Sequence, residues 1–259
     1  MSKTLITFPG KLGDCIWAAA TMKEFAGAGQ IDIALSVFCR PLVDILWCQS
    51  WVQDVMVLED WHIFPGSPAP IQPVVPPTVP TGYDRVVHLG LPDWPQMPLG
   101  AEFGRITHLQ SSGDPWLRPP SAIGGEYPRV QPAIAFTDEH VELKVGVICA
   151  LADNPHWQPT LLCSPGSRIS SEFAFHSSLH KVILNVKRLA NWIGACQFLI
   201  TDKSLPRVLA YAMGIPTYVV EPAEARWNNI FDPPRDWRRD NGLLNGGDAR
   251  QVLQMVGGV

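Results

Sequence analysis

Charged residues are scarce in this chain. Asp, Glu, Lys and Arg make up 17% of its 259 residues against 46% hydrophobic, and the formal net charge is −4. A chain with this balance fills a core, which excludes wholesale disorder. The small negative charge leaves no electrostatic footprint for non-specific binding to nucleic acid. Six cysteines stand at 15, 39, 48, 149, 163 and 196, with no CxxC pair and no Cys/His cluster of zinc spacing. Most lie in or beside apolar runs and read as small core residues in a reducing compartment. No apolar run approaches the ~20 residues that cross a bilayer. Met1-Ser2-Lys3-Thr4 leads straight into a strand rather than a signal peptide, so a soluble, cytoplasmic protein without a transmembrane segment is expected. A GxxxxGK loop followed by Ser or Thr is missing, as is GxGxxG. There is no repeat of fixed period, and no DxD-type carboxylate pair, so no metal site is expected.

The residues present alternate between strand and helix patterns. Leu5–Phe8, Ile31–Phe38, Val55–Leu58 and Arg85–Leu89 read as strands, with helical spacing over Ile16–Phe25 and Pro41–Cys48 between them. Strand-helix-strand-helix-strand argues for a parallel, doubly wound sheet. Pro65, Pro68, Pro70, Pro73, Pro76, Pro77 and Pro80 then forbid both helix and central strand, giving an extended surface excursion. A second irregular stretch, Asp93 to Pro128, holds a short helix at Phe103–His108. Val145–Ala150, Thr160–Cys163, Val182–Val186 and Phe198–Thr201 are expected to be strands of a second half, with a helix at Lys187–Gly194. The division predicted is 1–135 and 136–259, with a final helix at Ala249–Val256 packing back on the first part.

Two segments carry candidate chemistry. After the first strand comes Pro9-Gly10-Lys11-Leu12-Gly13-Asp14. A glycine there lets backbone approach a ligand, and the carboxylate at the strand's carboxyl end faces the crevice where ligands of open α/β sheets bind. Asp14 reads either as a helix N-cap or as a general base that deprotonates an acceptor hydroxyl. Near the C-terminus, Leu199-Ile200-Thr201-Asp202-Lys203-Ser204-Leu205-Pro206-Arg207 leads through a helix to Gly214-Ile215-Pro216 and another strand ending at Glu221. Asp202, Lys203 and Ser204 stand at a strand's carboxyl end before a helix N-terminus, which suits a phosphate; the alternative is an ordinary βαβ unit with a capping residue. His88, His108, His156 and His176 have no partners at fixed spacing and read as surface or core residues. Trp227, Asn228 and Asn229 are candidates to stack on a base or sugar.

The Gly-Asp after the first strand and the Thr201-Asp202 through Gly214-Ile215-Pro216 segment resemble the heptosyltransferase-type glycosyltransferases (glycosyltransferase family 9). Their C-terminal signature reads (T/N)DsGxxHxAxAxGxPtvxxf. The resemblance covers about a third of the chain. It implies an α/β, GT-B-like architecture, in which two Rossmann-like domains with mostly parallel sheets face each other across a cleft. The first would be the acceptor side and the second the nucleotide-sugar-binding side. It further implies transfer of a hexosyl or heptosyl group from a nucleotide-diphosphate sugar to a hydroxyl acceptor, inverting, metal-independent and with no prosthetic group. Asp14 matches the family's base, with Lys11 and Gly13 beside it on the acceptor loop. Asp202 opens the donor-binding loop. Lys203, Ser204 and Leu205 stand where Thr/Ser, Gly and a variable residue are usual, and Arg207 stands where His is usual. Lys203, Arg207 and Arg168, the last in Ser164-Pro165-Gly166-Ser167-Arg168, are the cations expected to meet the diphosphate. Glu221 is expected at the ribose hydroxyls. The acceptor implied is a glycan, a glycolipid or a modified nucleobase. Two other readings stand beside this one. The first is an inactive nucleotide- or sugar-binding protein, suggested by the altered Lys203–Arg207 loop. The second is a phage-type DNA-base glycosyltransferase, for which Arg226, Trp227, Arg235, Trp237, Arg238 and Arg239 would form the contact patch.

Overall fold

A computed structural model describes residues 3–27, 29–61, 75–91, 95, 97–120, 131–202, 205–220 and 254. They fall into two compact units, the first holding the described residues up to Pro120 and the second those from 131 onward.

The first unit is built on four parallel strands, β1 (Thr4–Phe8), β2 (Ile31–Ser36), β3 (Val52–Leu58) and β4 (Arg85–His88), in the order β3-β2-β1-β4. Between β1 and β2 runs α1 (Leu12–Ala26), and α2 (Val43–Trp47) precedes β3 after a 3-10 turn over Val37–Leu42. Helix α3 (Leu99–Thr107) follows β4 and packs on α1. Every residue of β2 is buried, as befits a strand covered on both faces. The Ala-rich stretch of α1 is buried from Cys15 to Met22, because small side chains let a helix lie close to its neighbours. Trp116 ties the irregular segment after α3 to this core. Its indole N–H donates to the Ile16 carbonyl at 2.8 Å, and its own carbonyl accepts from the Trp51 indole at 3.2 Å.

The second unit has five parallel strands, β5 (Ala133–Ala135), β6 (Thr160–Cys163), β7 (His180–Val182), β8 (Leu199–Thr201) and β9 (Thr217–Val219), in the order β7-β6-β5-β8-β9. Its helices are α4 (Val141–Ala152), α5 (Arg168–Glu172), α6 (Val186–Ala195) and α7 (Leu205–Met213). Ile134, Ile148, Leu151, Leu161 and Ile200 form the centre of its core. Each fully buried aliphatic side chain of this kind contributes about 1.5–3 kcal/mol. Gly214 ends α7 at φ +72°, with its N–H on the Tyr211 carbonyl and the Ile215 N–H on the Ala210 carbonyl. That paired closure needs the left-handed region, which glycine enters without strain.

Three expectations change here. Val145–Ala150 is not a strand but the middle of α4. Lys144, Val147, Ile148 and Leu151 are its buried positions, an i, i+3, i+4, i+7 stripe that a six-residue apolar run does not reveal by itself. The strand that opens the second sheet is the shorter Ala133–Ala135, paired with both β6 and β8. A boundary after residue 135 would therefore cut this central strand away from the sheet it belongs to. The strand expected at Val182–Val186 lies at His180–Val182, because Asn185 caps α6 through its side-chain oxygen on the Arg188 N–H. Most of the proline-rich excursion and nearly all of the expected final helix lie outside the described residues.

Candidate functional site

Each sheet reverses direction once. In the first, the chain runs outward through β2 and β3 and then returns to β4 on the other side of β1, so the switch point lies between β1 and β4. In the second it lies between β5 and β8. The loops at the carboxyl ends of such neighbours splay apart and leave a crevice.

At the first switch point stands the β1–α1 loop. Ser36 Oγ and Cys39 Sγ both donate to the Gly10 carbonyl, at 3.3 and 3.0 Å, and pin the turn. A Cβ on Gly10 would fall 2.3 Å from the Phe8 ring, so the close approach demands glycine. Asp14, half-buried in the first turn of α1, is not the N-cap; Lys11 holds that place, without a side-chain capping bond. Burial pushes the Asp14 carboxyl up to about 6, against the weaker opposing pull of the Lys11 backbone N–H and the Lys11 charge. A carboxylate with that pKa is ionised at neutral pH yet basic enough to take a proton. Gly13 meets nothing within 4 Å of a built Cβ, so open space lies over this turn. Lys11 is exposed beside it. On the neighbouring strand, His88 ends β4, its Nδ1 2.9 Å from Thr7 Oγ1. Burial lowers its pKa.

At the second switch point the loops after β5 and β8 are bound together. Asp202 Oδ2 accepts from the Thr137 backbone N–H at 2.8 Å and from Thr137 Oγ1 at 2.5 Å. Lys144 Nζ donates to the same oxygen at 2.6 Å, to the Thr137 carbonyl at 2.8 Å and to Thr137 Oγ1 at 3.1 Å. Three ammonium protons thus meet three oxygens. Lys144 is 2% exposed and Asp202 6%, so the pair is a buried one whose integrity matters more than its net strength. Asp202 was expected at the donor; its Oδ2 is taken up inside the unit, where it fixes the two loops. Arg207, expected as a fork for phosphate oxygens, is 1% exposed on α7 with its guanidinium 5.5 Å from the Tyr211 ring centroid.

Beside this network opens a cavity of about 410 Å³ at the carboxyl ends of β5, β6 and β7. Phe136, Thr137, Cys163, Ile183, Leu189 and Leu205 are among its lining residues. Leu205 and Pro206 open α7 at its edge, and proline suits a first helical turn because its missing N–H costs no helix bond there. Arg168 is exposed at the start of α5. Its backbone N–H, however, donates to Asp138 Oδ2 at 3.0 Å, so a carboxylate of the chain already occupies that helix end. Among the described residues no three His, Cys, Asp or Glu side chains are grouped to hold a metal ion. No described helix is long and apolar enough to cross a membrane. Lys203, Ser204, Glu221, Trp227–Asn229 and the 226–239 patch lie outside the described residues.

Lys144, Thr137 and the partnership at His88 are what the sequence reading missed. A signal existed: Phe136-Thr137-Asp138 repeats the apolar-Thr-Asp pattern of Ile200-Thr201-Asp202, and both mark a strand's end in the structure.

No family model and no curated protein matches the sequence. Solved structures do. The glycosyl transferase family 9 protein from Veillonella parvula aligns with a TM-score of 0.61 at 11% identity, over 98% of this chain and 89% of its own. The ADP-heptose LPS heptosyltransferase II of E. coli aligns at 0.59 and 12% identity, over 99% and 98%. The iron-containing dodecameric glycosyltransferase TibC from enterotoxigenic E. coli aligns at 0.54 and 15% identity, over 90% of this chain, which spans 61% of the TibC chain. With its two parallel sheets, the chain has the α/β, GT-B fold of the heptosyltransferase-type glycosyltransferases.

Proposed function

We propose that the chain transfers a sugar from a nucleotide-diphosphate donor to a hydroxyl acceptor, with inversion at the anomeric carbon and no metal ion. The observation that carries this is Asp14, a carboxyl raised to about 6 at the switch point of a sheet whose fold is shared with enzymes of that class. In the proposed step Asp14 takes the proton of the acceptor hydroxyl. The acceptor oxygen forms a bond to the anomeric carbon as the bond to the diphosphate oxygen breaks, and the diphosphate leaves with the electron pair. The cavity of the second unit, apolar and bordered by the starts of α6 and α7, suits the flat base and ribose of a nucleotide. The N-terminus of α7, with Lys203 and Arg168, would offset the charge that grows on the leaving diphosphate. Thr137, Lys144 and Asp202 act in this reading as positioning residues that keep the two donor-side loops together, and Arg207 supports α7 from within. Glu221 remains the candidate for the ribose hydroxyls. The cytoplasm, where nucleotide sugars are made, is the proposed location.

The test is a thermal-shift screen against nucleoside diphosphates and their sugars, followed by release of the diphosphate with and without acceptor. A donor that binds the folded chain raises its melting temperature, and Asp14→Ala should keep that shift while abolishing transfer. Undiminished turnover in Asp14→Ala would sink the mechanism. The engagement of Asp202 inside the unit favours a second reading, a nucleotide-binding protein without turnover. For that protein the melting shift would appear and no donor would be consumed.

A further inference from the structure

We propose that Ser36 and Cys39 are positioning residues for Asp14: by holding the Gly10 carbonyl they set the peptide group whose opposite end, the Lys11 N–H, is turned to the Asp14 carboxylate. This rests on the reading of Asp14 as the group that takes a proton, and deepens it by naming what tunes that group.

One peptide group joins the two ends. Ser36, the last residue of β2, and Cys39, on the 3-10 turn that follows, are both fully buried. Ser36 Oγ donates to the Gly10 carbonyl at 3.3 Å and Cys39 Sγ at 3.0 Å. The Gly10–Lys11 peptide is trans, so its N–H points away from its C=O. Lys11 is the N-cap of α1, which makes Asp14 the third helical residue. From that position a capping-box carboxylate reaches back to the N-cap N–H. Close packing agrees, since a Cβ built on Gly10 would stand 3.4 Å from Asp14 Cβ. Burial raises the Asp14 pKa most, and the Lys11 N–H lowers it.

A carbonyl that accepts two hydrogen bonds is more polarised than one that accepts a single bond, and its peptide N–H becomes the better donor. Such chains strengthen each bond by about 10–30%. Two residues that follow Gly10 by 26 and 29 positions thus act on Asp14 through the peptide between them. The other charged and titratable groups on the surrounding elements are engaged in their own ways. On the same loop the Lys11 charge adds to the pull of its N–H. Cys15, pushed well up by burial and then by its neighbour Cys39, stays a neutral thiol. Lys23 and Glu24 lie at the far end of α1. On the 3-10 turn Arg40 pairs with Glu59, and on α3, which packs on α1, Arg105 pairs with Glu102. His88 meets Thr7, and strand alternation turns Thr7 to the face of the sheet opposite Phe8, whose ring meets Phe103 of α3. The Gly10–Lys11 peptide is the link by which the core of the first unit reaches the Asp14 carboxyl.

Two measurements test it on the full chain. Carbon-detected NMR of the side-chain carboxyls, with Asp14→Asn identifying the Asp14 signal, follows its titration directly. Cys39→Ala should raise the Asp14 pKa by about 0.5 above the wild-type value, and Ser36→Ala by a similar amount, because each leaves the Gly10 carbonyl with one donor. Cys39→Ser, which keeps a donor in the same place, should hold the wild-type value. Steady-state kinetics then use an ADP- or UDP-hexose as donor and a methyl pyranoside as acceptor probe. The acidic limb of kcat/KM should move with the Asp14 pKa in each variant, at unchanged donor KM. An Asp14 pKa unmoved in both alanine variants overturns the proposal. An equal rise in Cys39→Ala and Cys39→Ser also overturns it, since that marks an effect of packing rather than of the donor. A wild-type chain that consumes no donor overturns the catalytic role of Asp14, while the NMR titration still decides whether Ser36 and Cys39 act on its carboxyl.

Discussion

Replacing Asp14 by Asn should stabilise the protein while removing its proposed activity, and both effects follow from one carboxyl group. Burial raises the Asp14 pKa from 3.8 to about 6 in the folded chain. Between those values the native state holds a proton that the unfolded chain has released, so stability falls as pH rises through this window. The stabilising contribution of the neutral form is fully present below about 3.8 and is gone above about 6. That gap, near two pKa units at about 1.4 kcal/mol each, amounts to about 3 kcal/mol of strain carried by the ionised group at pH 8. An amide mimics the protonated form and cannot ionise. Asp14→Asn should therefore gain about 1–3 kcal/mol at pH 8 and almost nothing at about pH 3.5. Urea unfolding of the two proteins at both pH values reads this directly as a shift in midpoint at constant slope. Transfer by the variant should fall by about 10²- to 10⁴-fold, the usual contribution of a general base. The wild-type rate should lose about tenfold per pH unit below the Asp14 pKa, as the base becomes protonated. An equal change in stability at both pH values, or a loss at pH 8, would refute the placement of Asp14 as a strained, half-buried base.

Lys144→Met should cost the second unit about 3–5 kcal/mol, because it takes the neutralising ammonium away from the buried Asp202 carboxylate. Lys144→Met combined with Asp202→Leu should recover part of that loss in the same urea measurement, and a purely additive loss would show that the pair is not coupled. Gly13→Ala should stabilise the free chain by up to about 1 kcal/mol, since nothing occupies the space its Cβ would enter and alanine suits a helix better. The same change should impair transfer, because the proposed acceptor approaches that turn; undiminished transfer would show that it does not. Leu189→Trp, which puts a large ring into the cavity of the second unit, should abolish the thermal shift with nucleotide while leaving Asp14 and its pKa untouched, and a retained shift would place the nucleotide elsewhere.

The sequence by itself determined the class of the fold and pointed to one of its candidate loops. Alternation of apolar runs with helical spacing identified β1, β2, β3, β4, β6 and β8: β1, β2, β6 and β8 are short, mostly apolar strands that are almost wholly buried, and the more exposed β3 and β4 still carry short apolar runs. Asp14 was legible as a candidate because a Gly-Asp step follows an apolar strand and opens an Ala-rich helix; the structure gives the N-cap place to Lys11 instead. The start of the second sheet was not legible. A three-residue strand such as Ala133–Ala135 carries almost no periodic signal, whereas the longer run at 145–150 looks like a strand until its contacts show that only one stripe of it is buried. Partnership is the other quantity that sequence withholds. Asp202 and Lys144 lie 58 positions apart, and Thr7 and His88 lie 81 apart. Nothing in local pattern relates them, since the parallel order of the strands alone brings their loops side by side. A charged or polar residue at a strand's end is visible in the sequence. Whether it meets a ligand or another part of the chain is decided by the fold: it joins Asp202 to Lys144 within the unit, and it sets Thr7 Oγ1 against His88 Nδ1.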